Sequence, residues 1–247
     1  MRTLFFSLLG MCLSVRGAAA EVEPSLRVMT YNVNFANPDV RRTLDAIAAE
    51  DADVVLLQEI DEAWKKALQK RFEKAYPHRR FHLHARSPGG LGVLSKHPIN
   101  VEDILPAPSG WFPASRLLIA APFGVLQILN VHLRPAIDRG SWIRGYLTTP
   151  SIRLAEIQAY TPKLAPKVPT IIAGDFNEAP EGEAMAFLGS LGFVRAATTG
   201  PTTWHYELLE IDLDHVLLDG SLVAKDGVVR DAGASDHRPV VVTVQPK

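Results

Sequence analysis

Several apolar runs in this chain finish on, or begin from, a group that can hold a cation, move a proton or steady an oxyanion. Asn32 follows Val28-Met29-Thr30-Tyr31, and Glu59 follows Val54-Val55-Leu56-Leu57-Gln58. His132 ends Leu126-Gln127-Ile128-Leu129-Asn130-Val131, and Asp175 and Asn177 come after Ile171-Ile172-Ala173-Gly174. Asp214 opens the run that continues as Val216-Leu217-Leu218, while Asp236-His237 stand just before Val240 to Val244. A strand end is a good seat for a reacting group, because the sheet fixes the backbone while the side chain reaches into a cleft. Singly, each group has an ordinary reading. Glu59 could cap a strand, Asp175 could begin an Asx-turn, and His132 could be a satisfied core histidine. Their weight lies in occurring together.

The elements that must position these groups can be outlined from hydrophobic period. Leu26 to Tyr31 predicts a strand, and Asn37-Pro38 predicts the start of a helix with apolar face Val40, Leu44, Ile47 and Ala48. Val54 to Leu57 reads as a buried strand, followed by an amphipathic helix carrying Trp64, Leu68, Phe72 and Ala75. A strand is predicted over Leu91 to Leu94, and Leu117 to Ala120 and Val125 to Val131 flank a hairpin at Pro122-Phe123-Gly124. Leu133 to Pro150 has weak periodicity and reads as a long functional loop. Late strands are predicted over Thr170 to Ala173, Asp214 to Leu218 and Val240 to Val244. Repeats, low-complexity linkers and charge blocks are absent, so residues 21–247 are expected to form one domain.

Residues 1–20 are expected to be a cleaved leader: Arg2, the apolar stretch Leu4 to Leu13, and Ala18-Ala19-Ala20 before Glu21. Export to the periplasm or beyond would follow. Cleavage would remove Cys12, the sole cysteine, leaving a mature chain with neither disulfide nor thiol chemistry. The chain is 247 residues long and 47% hydrophobic, enough for a substantial core, with formal net charge -1. That balance argues against gripping nucleic acid by bulk charge, though not against a local basic groove. No later apolar run is long enough to span a bilayer.

Taken in order, Tyr31-Asn32-Val33, Gln58-Glu59, Gly90-Leu91-Gly92-Val93-Leu94-Ser95, Asn130-Val131-His132-Leu133, Gly174-Asp175-Phe176-Asn177, Asp214-His215-Val216 and Ser235-Asp236-His237-Arg238-Pro239-Val240 resemble the motif set of the endonuclease/exonuclease/phosphatase family, the DNase I-like phosphoesterases. The resemblance runs from about Leu26 to the C-terminus. It implies an α/β fold, a four-layer sandwich of two β-sheets flanked by helices, and hydrolysis of a phosphate ester with Mg²⁺, or with Mn²⁺. Hard oxygen donors suit such an ion. Glu59 is the first ligand expected, with Asn32 beside it and Asp236 contributing. Asp175 is implied as general base, and Asn177 as the amide that holds the water or a phosphoryl oxygen. His132 and His237 would donate to oxygens gaining charge, with His237 preferred as proton donor to the leaving group and Asp214 orienting its histidine. Asn32 and Arg134 would also meet substrate. Trp204, in a segment before the Asp214 strand, could stack on a base or sugar or simply pack.

Two positions depart from the family pattern. Asn34 stands where some members have an acid, and no carboxylate partner for His132 can be named. His78, His82, His84 and His97 lack the spacing of a zinc site, and Gly89-Gly90-Leu91-Gly92 lacks the lysine of a phosphate loop. The expected activity is phosphodiester hydrolysis on nucleic acid or a related substrate, in a monomer. The alternatives are a phosphatase or phospholipase-like enzyme for a small or lipid head-group ester, and an inactive binding module. Arg134, Arg139, Arg144 and Arg153 lining a groove would favour a polyanionic chain; a narrow pocket would favour a small substrate.

Overall fold

The structure is a computed structural model that describes residues 23–85 and 87–247; the predicted leader lies outside the described residues. In chain order the strands are β1 (Leu26–Asn32), β2 (Val54–Gln58), β3 (His78–His82), β4 (Leu91–Ser95), β5 (Ile99–Leu105), β6 (Ala114–Ala121), β7 (Gly124–His132), β8 (Thr170–Asp175), β9 (Val194–Arg195), β10 (Trp204–Tyr206), β11 (Leu209–Ile211), β12 (Asp214–Leu218), β13 (Leu222–Val229) and β14 (Val240–Pro246). The helices are α1 (Val40–Glu50), α2 (Glu62–Arg71), α3 (Trp142–Thr148), α4 (Pro150–Tyr160) and α5 (Glu183–Ser190).

Two six-stranded sheets form, ordered β13-β14-β1-β2-β4-β3 and β5-β6-β7-β8-β12-β9, with β10-β11 as a separate hairpin. Alternation along each strand explains the layers. Leu26 and Val28 of β1 point inward with Val54, Leu56, Ile128, Ile171, Ala173 and Val216, making the core between the sheets. Met29, Tyr31, Val55 and Leu57 point outward, where Leu44 and Ile47 of α1 and Trp64 and Leu68 of α2 cover them. On the second sheet Leu129, Val131, Ile172 and Leu217 meet Ile157 of α4 and Met185 and Leu188 of α5. This is the four-layer α/β sandwich expected. No helix among the described residues is long and apolar enough to cross a membrane.

Local chemistry moves some expected boundaries. α1 begins at Val40, not at Pro38, because Asp39 is the cap: its carboxylate accepts the Arg42 N–H at 3.0 Å. Asn37 instead accepts the Asp39 N–H and donates to Val33 O. Leu133 to Pro150 is not one loop; it holds α3, capped by Ser141, and ends where α4 begins with Pro150 in its first turn.

Buried amides join the two sheets at the end where the polar groups cluster. Gln58 Nε2 donates to Asn130 Oδ1 at 2.7 Å and to Thr30 Oγ1 at 3.1 Å. Gln58 directly precedes Glu59, and Asn130 lies two residues before His132 on the same strand face.

Candidate active site

Register brings the site together. β7 and β8 are parallel with His132 opposite Asp175, and β8 and β12 are antiparallel with Asp175 opposite Asp214. Three chemical groups from distant parts of the chain thus sit side by side on neighbouring strands. Gly174 makes the close β7–β8 approach feasible: its φ is +144°, and a Cβ there would lie 2.0 Å from Val131 O. In the other sheet β1 and β2 are parallel with Asn32 opposite Gln58, and Glu59 follows with φ 63°. Asn34 and Asn177 are also left-handed, so the chain turns sharply after three of the strands that deliver polar groups.

The two sheets meet chemically at Asp175. Asn32 Nδ2 donates to Asp175 Oδ2 at 2.9 Å and to Glu59 Oε1 at 3.1 Å, while its oxygen accepts the Asn34 N–H. Glu59 Oε2 accepts the Phe35 N–H. Around Asp175 Oδ2 stand His132 Nε2 at 3.6 Å and His237 Nε2 at 3.7 Å. Asp175 Oδ1 accepts the Asn177 N–H, and Asn177 Nδ2 donates to Leu133 O, which fixes its amide plane. His237 Nδ1 bonds Asp214 Oδ2 at 2.8 Å. Asp236 accepts from Asn34 Nδ2 at 2.8 Å and from the Trp204 indole at 3.2 Å. Asn34, the departure from the family pattern, therefore orients a carboxylate instead of adding one.

Burial and neighbouring carboxylates push the two histidines in opposite directions. His132 is buried, and desolvation pulls its pKa down to about 4 against the pull of Asp175. Among the described residues, no carboxylate reaches its Nδ1. Burial also opposes protonation of His237, but Asp214 and Asp175 outweigh it and push the value up to about 10. Burial raises the carboxyl pKa of Glu59, and likewise those of Asp175 and Asp214. Asp236 is held low: burial opposes ionisation, yet His237, Asn34 and Trp204 together prevail.

A pocket of about 250 Å³ opens over these groups, lined by Glu59, Asp175, Asn177, Asp236, His132 and His237 on its polar side. Its other wall is Phe35, Trp111, Phe112, Ile137 and Arg134. The Arg134 guanidinium lies 3.6 Å from the centre of the Trp111 ring, and Phe112 covers His132 at 4.5 Å between ring centres. Sequence reading missed Trp111 and Phe112, which sit between Gly110 and Pro113 without any period to betray them. Trp204 is not in a loop but in β10; it is buried, lines the pocket and holds Asp236. Of the four arginines whose lining of a groove would favour a polyanionic chain, Arg134 alone lines this pocket. Arg153 is buried beside Glu178, and Arg144 pairs with Asp138.

The sequence model of the endonuclease/exonuclease/phosphatase family matches residues 29–237, from β1 to His237. The chain belongs to that family. Members of the family are phosphoester hydrolases. No curated protein matches the sequence significantly. Among solved structures, an endonuclease/exonuclease/phosphatase from Beutenbergia cavernae is 22% identical with TM-score 0.71, covering 90% of this chain and 72% of that one. Sphingomyelinase C from Streptomyces griseocarneus is 18% identical with TM-score 0.69, covering 89% and 99%. Truncated TDP2 from Caenorhabditis elegans is 15% identical with TM-score 0.69, covering 90% and 98%. At these identities the likeness concerns the fold. The family's fold thus accounts for the strand ends that carry the polar groups.

A divalent cation fits the donor set. Glu59, Asp175, Asp214 and Asp236 crowd one end of the sandwich, where burial raises the carboxyl pKa of the first three and a cation would offset it. Asp175, Asp214 and His237 bring potential ligand atoms within 4.8 Å of one another. Within that trio His237 Nδ1 is already bonded to Asp214 Oδ2 at 2.8 Å, so a cation there would have to displace a proton. Glu59 and Asp236 remain as pocket-facing oxygen donors. Asn32 turns its N–H groups to the carboxylates, so it could offer only the second lone pair of an oxygen already bonded to Asn34.

Proposed function

We propose that this protein is an exported, divalent-metal-dependent phosphodiesterase, using Mg²⁺ or Mn²⁺, that acts on a compact substrate held in the 250 Å³ pocket. The observation that carries the reading is the arrangement around Asp175 Oδ2, with an amide, a neutral imidazole and an imidazolium aimed at one oxygen. Glu59 and Asp236 would hold the cation, with Asn32 steadying Glu59. Bound there, the ion would neutralise charge on the phosphoryl and leaving oxygens.

The chain's own groups divide the remaining work. Asp175, its carboxyl pKa raised by burial, takes the proton of the attacking water. Asn177, its plane fixed by Leu133, orients that water or a phosphoryl oxygen. His237, charged by Asp214, donates to the oxygen that gains charge and delivers a proton to the leaving group. His132 supports the same region as a neutral donor beneath Phe112. The aromatic lining of Phe35, Trp111, Phe112 and Trp204, with Arg134 the one arginine in it, favours a small or terminal ester over a track for a nucleic-acid chain. The leader-like residues 1–20 support export.

The test uses protein lacking residues 1–20, assayed with and without Mg²⁺. Substrates would be plasmid DNA, single-stranded DNA, RNA, bis(p-nitrophenyl) phosphate, a phosphomonoester and a phospholipid. The reading expects chelator-sensitive hydrolysis of the small diester, lost in Asp175→Asn. Activity confined to plasmid DNA would overturn the compact-substrate assignment, and an undiminished Asp175→Asn would overturn the mechanism.

A further inference from the structure

Glu156 lies on α4, in the outer helical layer, and is only 1% exposed. It lines no part of the pocket. Both its oxygens are nevertheless committed to segments that build the pocket wall. Oε2 accepts the backbone N–H of Arg134 at 2.9 Å, and Oε1 accepts the Ser109 hydroxyl at 2.5 Å. Ser109 Oγ in turn accepts the Trp111 N–H at 3.3 Å. One carboxylate therefore anchors the backbone on either side of the Arg134–Trp111 stack. Arg153, one turn earlier on the same helix, donates to Arg134 O at 3.3 Å and tightens the same clamp.

A buried carboxylate is costly unless its hydrogen bonds are met, and packing alone would be served as well by an apolar residue. Burial raises the pKa of Glu156 against the pull of Ser109 and Arg134. The stack itself depends on geometry: the guanidinium must stay over the indole face, within about 6 Å of its centre, to be attracted by the ring. We infer that Glu156 is a positioning residue, which fixes the Arg134–Trp111 wall against which the substrate's non-reacting portion lies. The inference rests on the phosphodiesterase reading for its kinetic consequence, but not for its structural one.

Two measurements on the full mature chain separate these. The first needs no substrate. The Arg134 Nε–H resonance, assigned by its loss in Arg134→Lys, should be shifted upfield by the Trp111 ring in the wild type. Glu156→Ala should return it toward the free-arginine position, and Glu156→Gln should keep most of the shift. An unmoved resonance in Glu156→Ala would overturn the inference, whether or not the protein hydrolyses anything.

The second is kinetic, with bis(p-nitrophenyl) phosphate. Glu156→Ala should raise KM roughly tenfold and leave kcat within about threefold, since the wall binds ground and transition states alike. Glu156→Gln should restore KM. A merely structural role would lower apparent kcat with the folded fraction and leave KM in place, which would count against positioning. Should Glu156→Ala not fold, Ser109→Ala, at an exposed position, removes one arm of the clamp alone. It should raise KM by about threefold and move the Arg134 signal part-way; no change in either overturns the inference. A wild type inert toward every ester would defeat the functional reading and leave the resonance experiment to decide this one.

Discussion

His132 and His237 face the same oxygen of Asp175, at 3.6 and 3.7 Å, yet their surroundings favour a neutral imidazole at His132 and a protonated one at His237. The cause is Asp214, which bonds His237 Nδ1 and has no counterpart at His132 Nδ1. One carboxylate thus separates two otherwise similar imidazoles into a neutral group and a cation. Such divergence is what acid–base division of labour requires.

Replacing Asp214 with Asn should therefore act mainly through His237. Without the two carboxylates acting together, burial prevails and the folded-state pKa of His237 falls from about 10. Imidazole resonances followed by pH titration in metal-free protein would report the fall directly. The rate constant should drop by about 10²–10⁴, the usual range for a lost acid–base group. A wild-type-like titration in Asp214→Asn would dismiss this assignment.

Cation binding should be visible as stabilisation. A ligand that binds only the folded state raises the melting temperature by mass action. Mg²⁺ or Mn²⁺ should raise Tm of the wild type in a thermal scan, and Glu59→Ala should abolish the rise. Asp236→Asn should weaken it, since Asp236 is steadied by Asn34 and Trp204 and faces the same pocket. An equal rise in all three proteins would move the cation elsewhere.

Much of this was legible in the residues. Strand ends carrying Asn32, Glu59, His132, Asp175, Asp214 and His237 were readable because apolar runs stop abruptly there, and the resemblance supplied their order. What could not be read was the joining of sheets. Asn32 bonding Asp175 spans 143 residues, and no period announces it. Strands β3, β5 and β13 escaped notice because one or both faces carry charge, as in His78-Arg79-Arg80-Phe81-His82, so alternation is weak. Arg153 looked like a groove residue only because burial beside Glu178 is a tertiary fact. Trp111 and Arg134, neighbours in space, are far apart in sequence and meet through the turn of two loops.

The Gln58–Asn130 bond makes a stability claim that is separate from catalysis. Both side chains are fully buried between the sheets. Asn130→Leu removes the acceptor and leaves Gln58 Nε2 with only Thr30. Stranding a buried donor costs about 1–3 kcal/mol, beyond any apolar gain from leucine. Urea unfolding should show that loss in the midpoint at unchanged slope. Gln58→Leu together with Asn130→Leu should recover part of it, because no polar atom of the pair is then left behind.

His215 sets a pH dependence of stability that can be worked out in sign. Its Nε2 donates to Glu178 O at 2.8 Å while Nδ1 accepts Arg195 Nε–H at 3.0 Å, an arrangement only the neutral tautomer satisfies. Burial accordingly lowers its pKa to about 4 in the folded protein. In the unfolded chain the value is about 6.5. Between these values the unfolded state binds the extra proton, so the contribution is whole above pH 6.5 and is lost as pH falls toward 4. A shift of this size corresponds to at most about 3 kcal/mol. Urea midpoints at pH 7 and pH 5 should differ more for the wild type than for His215→Gln, whose own loss of stability should be smallest at the lower pH. Parallel pH profiles for the two proteins would mean that His215 is protonated as readily folded as unfolded, and the tautomer assignment would fall with it.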